Sequence, residues 1–153
     1  MLGIAEVNTS AMTILLVEDN DAHAELVIRG LNEQRKMQNI RHVHDGEEAL
    51  DYLFRRGNYE NPQDSPRPHL ILLDLRLPKI DGLEVLKTIK SSSDIKCIPV
   101  VILTTSEAEN DVKDAYLGYA NSYLVKPVDF GSFNNLLADL GFYWLGWNHG
   151  LQN

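Results

Sequence analysis

Three carboxylates, a hydroxyl and an ammonium each follow directly on a run of apolar residues in this chain. Glu18 and Asp19 come after Val17, Asp74 after Leu73, Thr104 with Thr105 and Ser106 after Leu103, and Lys126 with Pro127 after Val125. Clustered carboxylates repel one another, and unpaired they raise each other's pKa. A hard divalent cation relieves that repulsion. Oxygen ligands without imidazole or thiolate point to Mg2+ as the cofactor. A carboxylate beside Mg2+ can attack a phosphoryl group as a nucleophile. A lysine and a hydroxyl then hold the phosphoryl oxygens, on which charge builds in the transition state. Together these residue types make an aspartyl-phosphate site.

The elements that must position them can be read from periodicity. Thr13–Val17, Leu70–Leu73, Val100–Leu103 and Tyr123–Val125 are short and nearly free of charge, as strands buried on both faces should be, and Ile40–His44 is a weaker fifth. Helical stretches separate them. Ala22 to Lys36 places Ala22, Leu26, Val27, Gly30 and Leu31 at helical spacing, and Gly46 to Arg55 does so with Ala49, Leu50, Leu53 and Phe54. Gly82 to Lys90, Ala108 to Leu117 and Asp129 to about Tyr143 complete the set. Strand and helix alternating five times predict an α/β fold, a parallel five-stranded sheet with helices on both faces. In such a sheet ligands bind outside the carboxyl ends of the strands, where all four segments deliver their polar residues. The proline-containing stretch from Gly57 to Pro68 is long for a connection and is expected to be exposed.

Composition narrows the partners. A chain of 153 residues is one domain. Lys and Arg number 14 against 22 Asp and Glu, a net charge of −8, which disfavours nucleic acid and anionic membrane surfaces. Cys97 is the sole cysteine, so neither a disulfide within the chain nor a cysteine-based zinc site is expected. No apolar run reaches the ~20 residues that span a bilayer. Residues 1–11 lack a basic, apolar leader pattern and read as a flexible N-terminal extension; a cytoplasmic protein is expected.

The segments "ILLVEDN", "LILLDLRLPKIDGLEVL", "VVILTTSE" and "SYLVKP" resemble the receiver domain of two-component response regulators. The resemblance runs from about Met12 to Leu140, giving a receiver domain over 12–141 and an aromatic tail over 142–153 that extends the last helix. Asp74 and Thr104 are 30 positions apart, and Thr104 and Lys126 are 22 apart, close to the family's spacing. The resemblance implies a doubly wound (βα)5 flavodoxin-like (CheY-like) fold with strand order 2-1-3-4-5. It implies that Asp74 is the phosphoacceptor, and that Glu18, Asp19, Asp74 and the main-chain carbonyl of Arg76 hold Mg2+, with Asp19 a direct ligand. Thr104 resembles the switch hydroxyl, Lys126 the lysine that pairs with the phosphoryl group, and Tyr123 the aromatic switch residue. Pro127 would follow a cis peptide bond at that turn. Arg76 and Ser106 are not fixed by the family. They line the mouth of the site, where such positions modulate the approach of water to the acyl phosphate.

A second resemblance rests on the Pro-containing insert and the tail "FYWLGWN". Both are similar to the small single-domain response regulators of cyanobacterial phytochromes. It implies a histidine kinase of the phytochrome type as donor and an unidentified downstream protein as target. Phe142, Tyr143, Trp144 and Trp147 are four of the 12 aromatic residues, gathered within six positions. One apolar stripe (Phe130, Phe133, Leu137, Leu140, Trp144) suffices to dock the last helix, while Leu136, Tyr143 and Trp147 lie off it. Aromatic residues are enriched in interface cores. Phe130, Phe133, Leu136, Tyr143, Trp144 and Trp147 are therefore interface candidates, for a symmetric homodimer through the fourth helix, fifth strand and fifth helix.

Three other functions compete. A Mg2+-dependent aspartyl phosphatase of the haloacid-dehalogenase type wants a second aspartate two places after the nucleophile, where Arg76 stands. An FMN binder would cradle phosphate in the first strand–helix loop, which here opens on Glu18 and Asp19. A docking module that is never phosphorylated remains open beside the phosphorylated switch. In the switch reading the chain is not an enzyme beyond catalysing its own phosphorylation and dephosphorylation.

Overall fold

The computed structural model describes residues 12–34, 39–126 and positions 131, 132, 135, 138 and 139. Five strands are present: β1 (Thr13–Val17), β2 (Asn39–Val43), β3 (Leu70–Leu73), β4 (Val100–Thr104) and β5 (Ser122–Val125). Between them run α1 (Asp21–Gln34), α2 (Gly46–Phe54), α3 (Gly82–Lys90) and α4 (Glu109–Leu117). Every pairing is parallel and the order is β2-β1-β3-β4-β5, as expected.

The apolar runs explain this order. β1, β3 and β4 are buried along their whole length, so they occupy the middle of the sheet. Their side chains alternate between two cores. Leu15, Val17, Ile71, Leu73, Val100 and Ile102 pack with Leu50 and Leu53 of α2, Leu86 and Ile89 of α3, and Ala115 of α4. Ile14, Leu16, Leu70, Leu72, Val101 and Leu103 pack with Ala24, Val27 and Leu31 of α1 on the other face. The buried stripe of α1 begins at Ala24; Ala22 is exposed, against expectation.

β2 and β5 are half-buried edges, and their polar ends, Asn39 and Ser122, join the ladder one place earlier than apolar character suggests. α2 ends at Phe54, with Arg55 in the left-handed region at φ 56°. Its start is capped by Asp45, whose side chain accepts from the Glu48 amide at 2.7 Å, while the Glu48 carboxylate accepts from the His44 amide at 2.8 Å.

The stretch from Gly57 to Pro68 is exposed over most of its length, as expected, but it is anchored at its far end. Ser65 is fully buried, its hydroxyl donating to the Tyr59 and Asn61 carbonyls at 3.0 and 3.2 Å. Tyr52 donates its hydroxyl to the Pro66 carbonyl, and the Arg67 guanidinium donates to the Leu53 carbonyl, each at 2.6 Å. The Tyr52 side chain of α2 and the Arg67 side chain of the segment thus tie the segment to the helix. Phe130, Phe133, Leu136, Tyr143, Trp144 and Trp147 lie outside the described residues, as do Pro127 and its peptide bond, the extension 1–11 and the tail 142–153.

Candidate functional site

Main-chain ladders place the polar residues that follow the strands. The amide of Glu18 donates to Val43 O and that of Asp74 to Val17 O, both at 3.1 Å, and the amide of Lys126 donates to Thr104 O at 2.7 Å. Each residue therefore continues its strand by one position, and the carboxyl ends of β1, β3 and β5 converge. Gly82 closes the other wall: its amide donates to Leu75 O at 2.8 Å. A Cβ there would lie 2.3 Å from Asp74 O, so only glycine lets the start of α3 approach the chain beside Asp74.

The convergence brings together most of the residues singled out in the sequence. Lys126 Nζ donates to Glu18 Oε1 and to Asp74 Oδ2, the latter at 3.2 Å. One carboxylate oxygen each from Glu18, Asp19 and Asp74 lies within 4.8 Å of the others. Glu18 and Asp74 are buried and Asp19 is exposed, so the cluster opens to solvent on the Asp19 side. Burial pushes the Glu18 carboxyl up to about 7, against the lowering effect of the Lys126 hydrogen bond and charge and with a smaller upward push from Asp74. A divalent cation fits this oxygen set. It would offset negative charge that a single ammonium leaves unbalanced.

A second set lies beside it. The Asp74 Oδ1 atom accepts from the Arg76 amide at 3.3 Å. The Arg76 guanidinium is paired with Asp111, at the start of α4, and the Ser106 hydroxyl donates to the same carboxylate oxygen at 2.6 Å. The Ser106 amide reaches Thr104 Oγ1 at 3.5 Å, a weak contact. Tyr123 donates its hydroxyl to the Ser106 carbonyl at 2.8 Å, and burial pushes its phenol pKa upward. Ser106 therefore joins Thr104, Tyr123 and Asp111 through its amide, carbonyl and hydroxyl.

Sequence reading missed two participants. His23 Nδ1 is 3.2 Å from Lys126 Nζ. Burial, then the Lys126 charge, holds its pKa below the usual histidine value, which suits an imidazole nitrogen that accepts. Asp111 is buried and unites Arg76 with Ser106. Both stand in the first turn of a helix that begins beside the site, a placement visible in the sequence once the helices are drawn.

Among the described residues no helix is long and apolar enough to cross a membrane. Residues 14–138 match the family described as response regulator receiver domain. The chain is 46% identical over 136 residues to the probable methanogenesis regulatory protein FilR2 of Methanothrix harundinacea, covering 88% of this chain and 84% of that one. It is 44% identical over 132 residues to response regulator Rcp1 of Synechocystis, covering 86% and 88% respectively. Among solved structures, the phosphorylated cyanobacterial phytochrome response regulator RcpA matches with a TM-score of 0.88 at 38% identity, over 94% of this chain and 100% of that one. The Mn2+-bound form of Rcp1 matches with a TM-score of 0.87 at 40% identity, over 92% and 99%.

Proposed function

The chain belongs to the response regulator receiver family, and from that premise we propose that it accepts a phosphoryl group onto Asp74 from a histidine kinase, with Mg2+, and thereby switches a protein-contact surface. The observation that carries this reading is the buried contact of Asp74 Oδ2 with Lys126 Nζ at 3.2 Å, inside a cluster of three carboxylates. In the transfer, an Asp74 carboxylate oxygen attacks the phosphorus of a phosphohistidine. The N–P bond breaks, its electron pair returns to the imidazole, and an acyl phosphate forms on Asp74. Glu18, Asp19, Asp74 and the main-chain carbonyl of Arg76 are the proposed Mg2+ ligands; the ion, when bound, supplies positive charge to the phosphoryl oxygens. Lys126, already against Asp74, exchanges a carboxylate oxygen for a phosphoryl oxygen.

The Thr104 hydroxyl, held among the described residues by the weak Ser106 contact, turns toward the new group, and Tyr123 responds through the same Ser106. Arg76 sets the lifetime of the acyl phosphate by controlling the approach of water. The donor is a phytochrome-type kinase in the cytoplasm, a reading supported by the likeness to RcpA and Rcp1. A homodimer through α4 and β5 is supported by Tyr116, Leu117 and Tyr119, large apolar residues left exposed at and just past the end of α4.

The test is incubation with acetyl phosphate, or with a phosphorylated phytochrome-type kinase, in Mg2+, followed by intact-mass measurement. Wild type gains one phosphoryl group, Asp74→Asn gains none, and chelation of Mg2+ suppresses the gain. A wild type that takes up no phosphoryl group from either donor overturns the reading. Transfer from the kinase that is indifferent to light overturns the phytochrome assignment alone.

A further inference from the structure

A group of metal-ligating side chains lies outside the acceptor cluster, at the carboxyl end of the edge strand β2. Asp21 at the start of α1, His42 in β2 and His44 just after it each offer a ligand atom within 4.8 Å of the other two. His42 and His44 are two places apart on an extended chain and so share a face. Their ring centroids are 4.1 Å apart.

The hydrogen bonds of these rings point to a ligand. His42 Nε2 lies 2.8 Å from the main-chain oxygen of Glu18. A carbonyl only accepts, so Nε2 carries a proton, and in the neutral ring the lone pair is on Nδ1. His44 Nδ1 faces Glu48 Oε1 at 3.4 Å, and its Nε2 faces Asp21 Oδ1 at 3.4 Å. Glu48 is itself fixed, one oxygen by the His44 amide at 2.8 Å and the other by the Tyr59 hydroxyl at 2.6 Å. Each imidazole thus has one nitrogen beside an oxygen acceptor on its own side of the ring, and the three residues still bring one ligand atom each within 4.8 Å of one another. Metal-binding histidines are oriented in this way, by a carbonyl or carboxylate on the nitrogen that does not ligate.

We propose that Asp21, His42 and His44 form a site for a divalent transition ion of the Zn2+ class, separate from the hard-cation cluster at Asp74. Two imidazoles and one carboxylate are a zinc-type set, and imidazole favours Zn2+ over Mg2+. Ligand atoms about 2 Å from an ion lie no more than about 4 Å apart, so the present spacing closes with small side-chain rotations. The Asp21 side chain is 83% exposed, which leaves a position open to water or to a donor from a second molecule.

The test uses the tag-free chain in saturating Mg2+, which keeps hard-cation positions filled, with Zn2+ titrated against a chromophoric chelator. One equivalent is bound. His42→Ala and His44→Ala each weaken binding by more than about tenfold, Glu48→Gln weakens it by about tenfold, and Asp74→Asn leaves it unchanged. Far-ultraviolet circular dichroism of each variant separates loss of the site from loss of the fold. Absence of binding, binding that survives in folded His44→Ala, or binding that disappears in Asp74→Asn overturns the proposal. It stands independently of phosphotransfer to Asp74.

Discussion

Two polar clusters flank Asp74, and they differ in how much water they keep. On one side the side chains of Glu18 and Lys126 are each 3% exposed. On the other, Arg76 is paired with a carboxylate that is itself mostly sheltered, Asp111 at 11%, but its own side chain is 59% exposed. The first cluster holds charges that only one another, or an added cation, can compensate. The second holds a charge that solvent already compensates. Burial therefore makes the Lys126 side costly to disturb, and exposure leaves the Arg76 side cheap to vary, so Asp74 has a fixed wall and an adjustable one.

Lys126→Ala is the hardest blow to this contrast. It leaves Glu18 and Asp74 without their cation, and a loss of about 3 kcal/mol is expected in urea unfolding at neutral pH without Mg2+. Added Mg2+ restores part of it. A loss no larger than that of Arg76→Ala would break the comparison outright.

Acidity sharpens it next. The Glu18 carboxyl sits at about 7 in the folded chain against an ordinary 4.5, because burial outweighs the Lys126 contact. The folded state thus holds a proton that the unfolded state gives up, so the metal-free protein loses stability as pH rises from about 4.5 to about 7. Thermal midpoints in chelator should fall across that window. Glu18→Gln should flatten the fall, and Mg2+ should shrink it. A midpoint that rises through the window in wild type contradicts this account.

On the exposed side the expected effects are smaller. Tyr123→Phe removes the hydroxyl bond to the Ser106 carbonyl, and a cost of about 1 kcal/mol is expected in the same unfolding measurement. Arg76→Ala should cost less than about 1 kcal/mol, since its ion pair reaches solvent. Its effect should appear instead in the rate at which the phosphorylated protein loses its phosphoryl group, and an unchanged rate removes Arg76 from that role.

What could be read from the sequence follows the same division. Val17 and Leu73 end apolar runs on buried strands and Val125 ends one on an edge strand, and Glu18, Asp74 and Lys126 just after them are joined through the Lys126 ammonium. Thr104 closes β4 although its side chain is polar, because main-chain pairing with Val125 decides the strand. The edges were harder, since Asn39 and Ser122 join the ladder without an apolar signature. His23 and Asp111 escaped because their role depends on where a helix begins relative to a strand from elsewhere in the chain. The bonds that join Tyr52 to Pro66 and Arg67 to Leu53 each span 14 positions, and prolines alone suggest only a turn-rich surface.

The topology also sets when the cleft comes into being. The Thr13 amide reaches the His69 ring across 56 positions of chain, and Lys126 meets Glu18 across 108. Contacts so distant in sequence slow folding, because long stretches must be ordered before the contacts repay the cost. Lys126 follows β5 and Glu18 follows β1, so a chain still emerging from the ribosome has Asp74 without Lys126. The contact of Lys126 with Glu18 and Asp74 therefore arrives only with completion of the sheet, and an unfinished or misassembled copy lacks it.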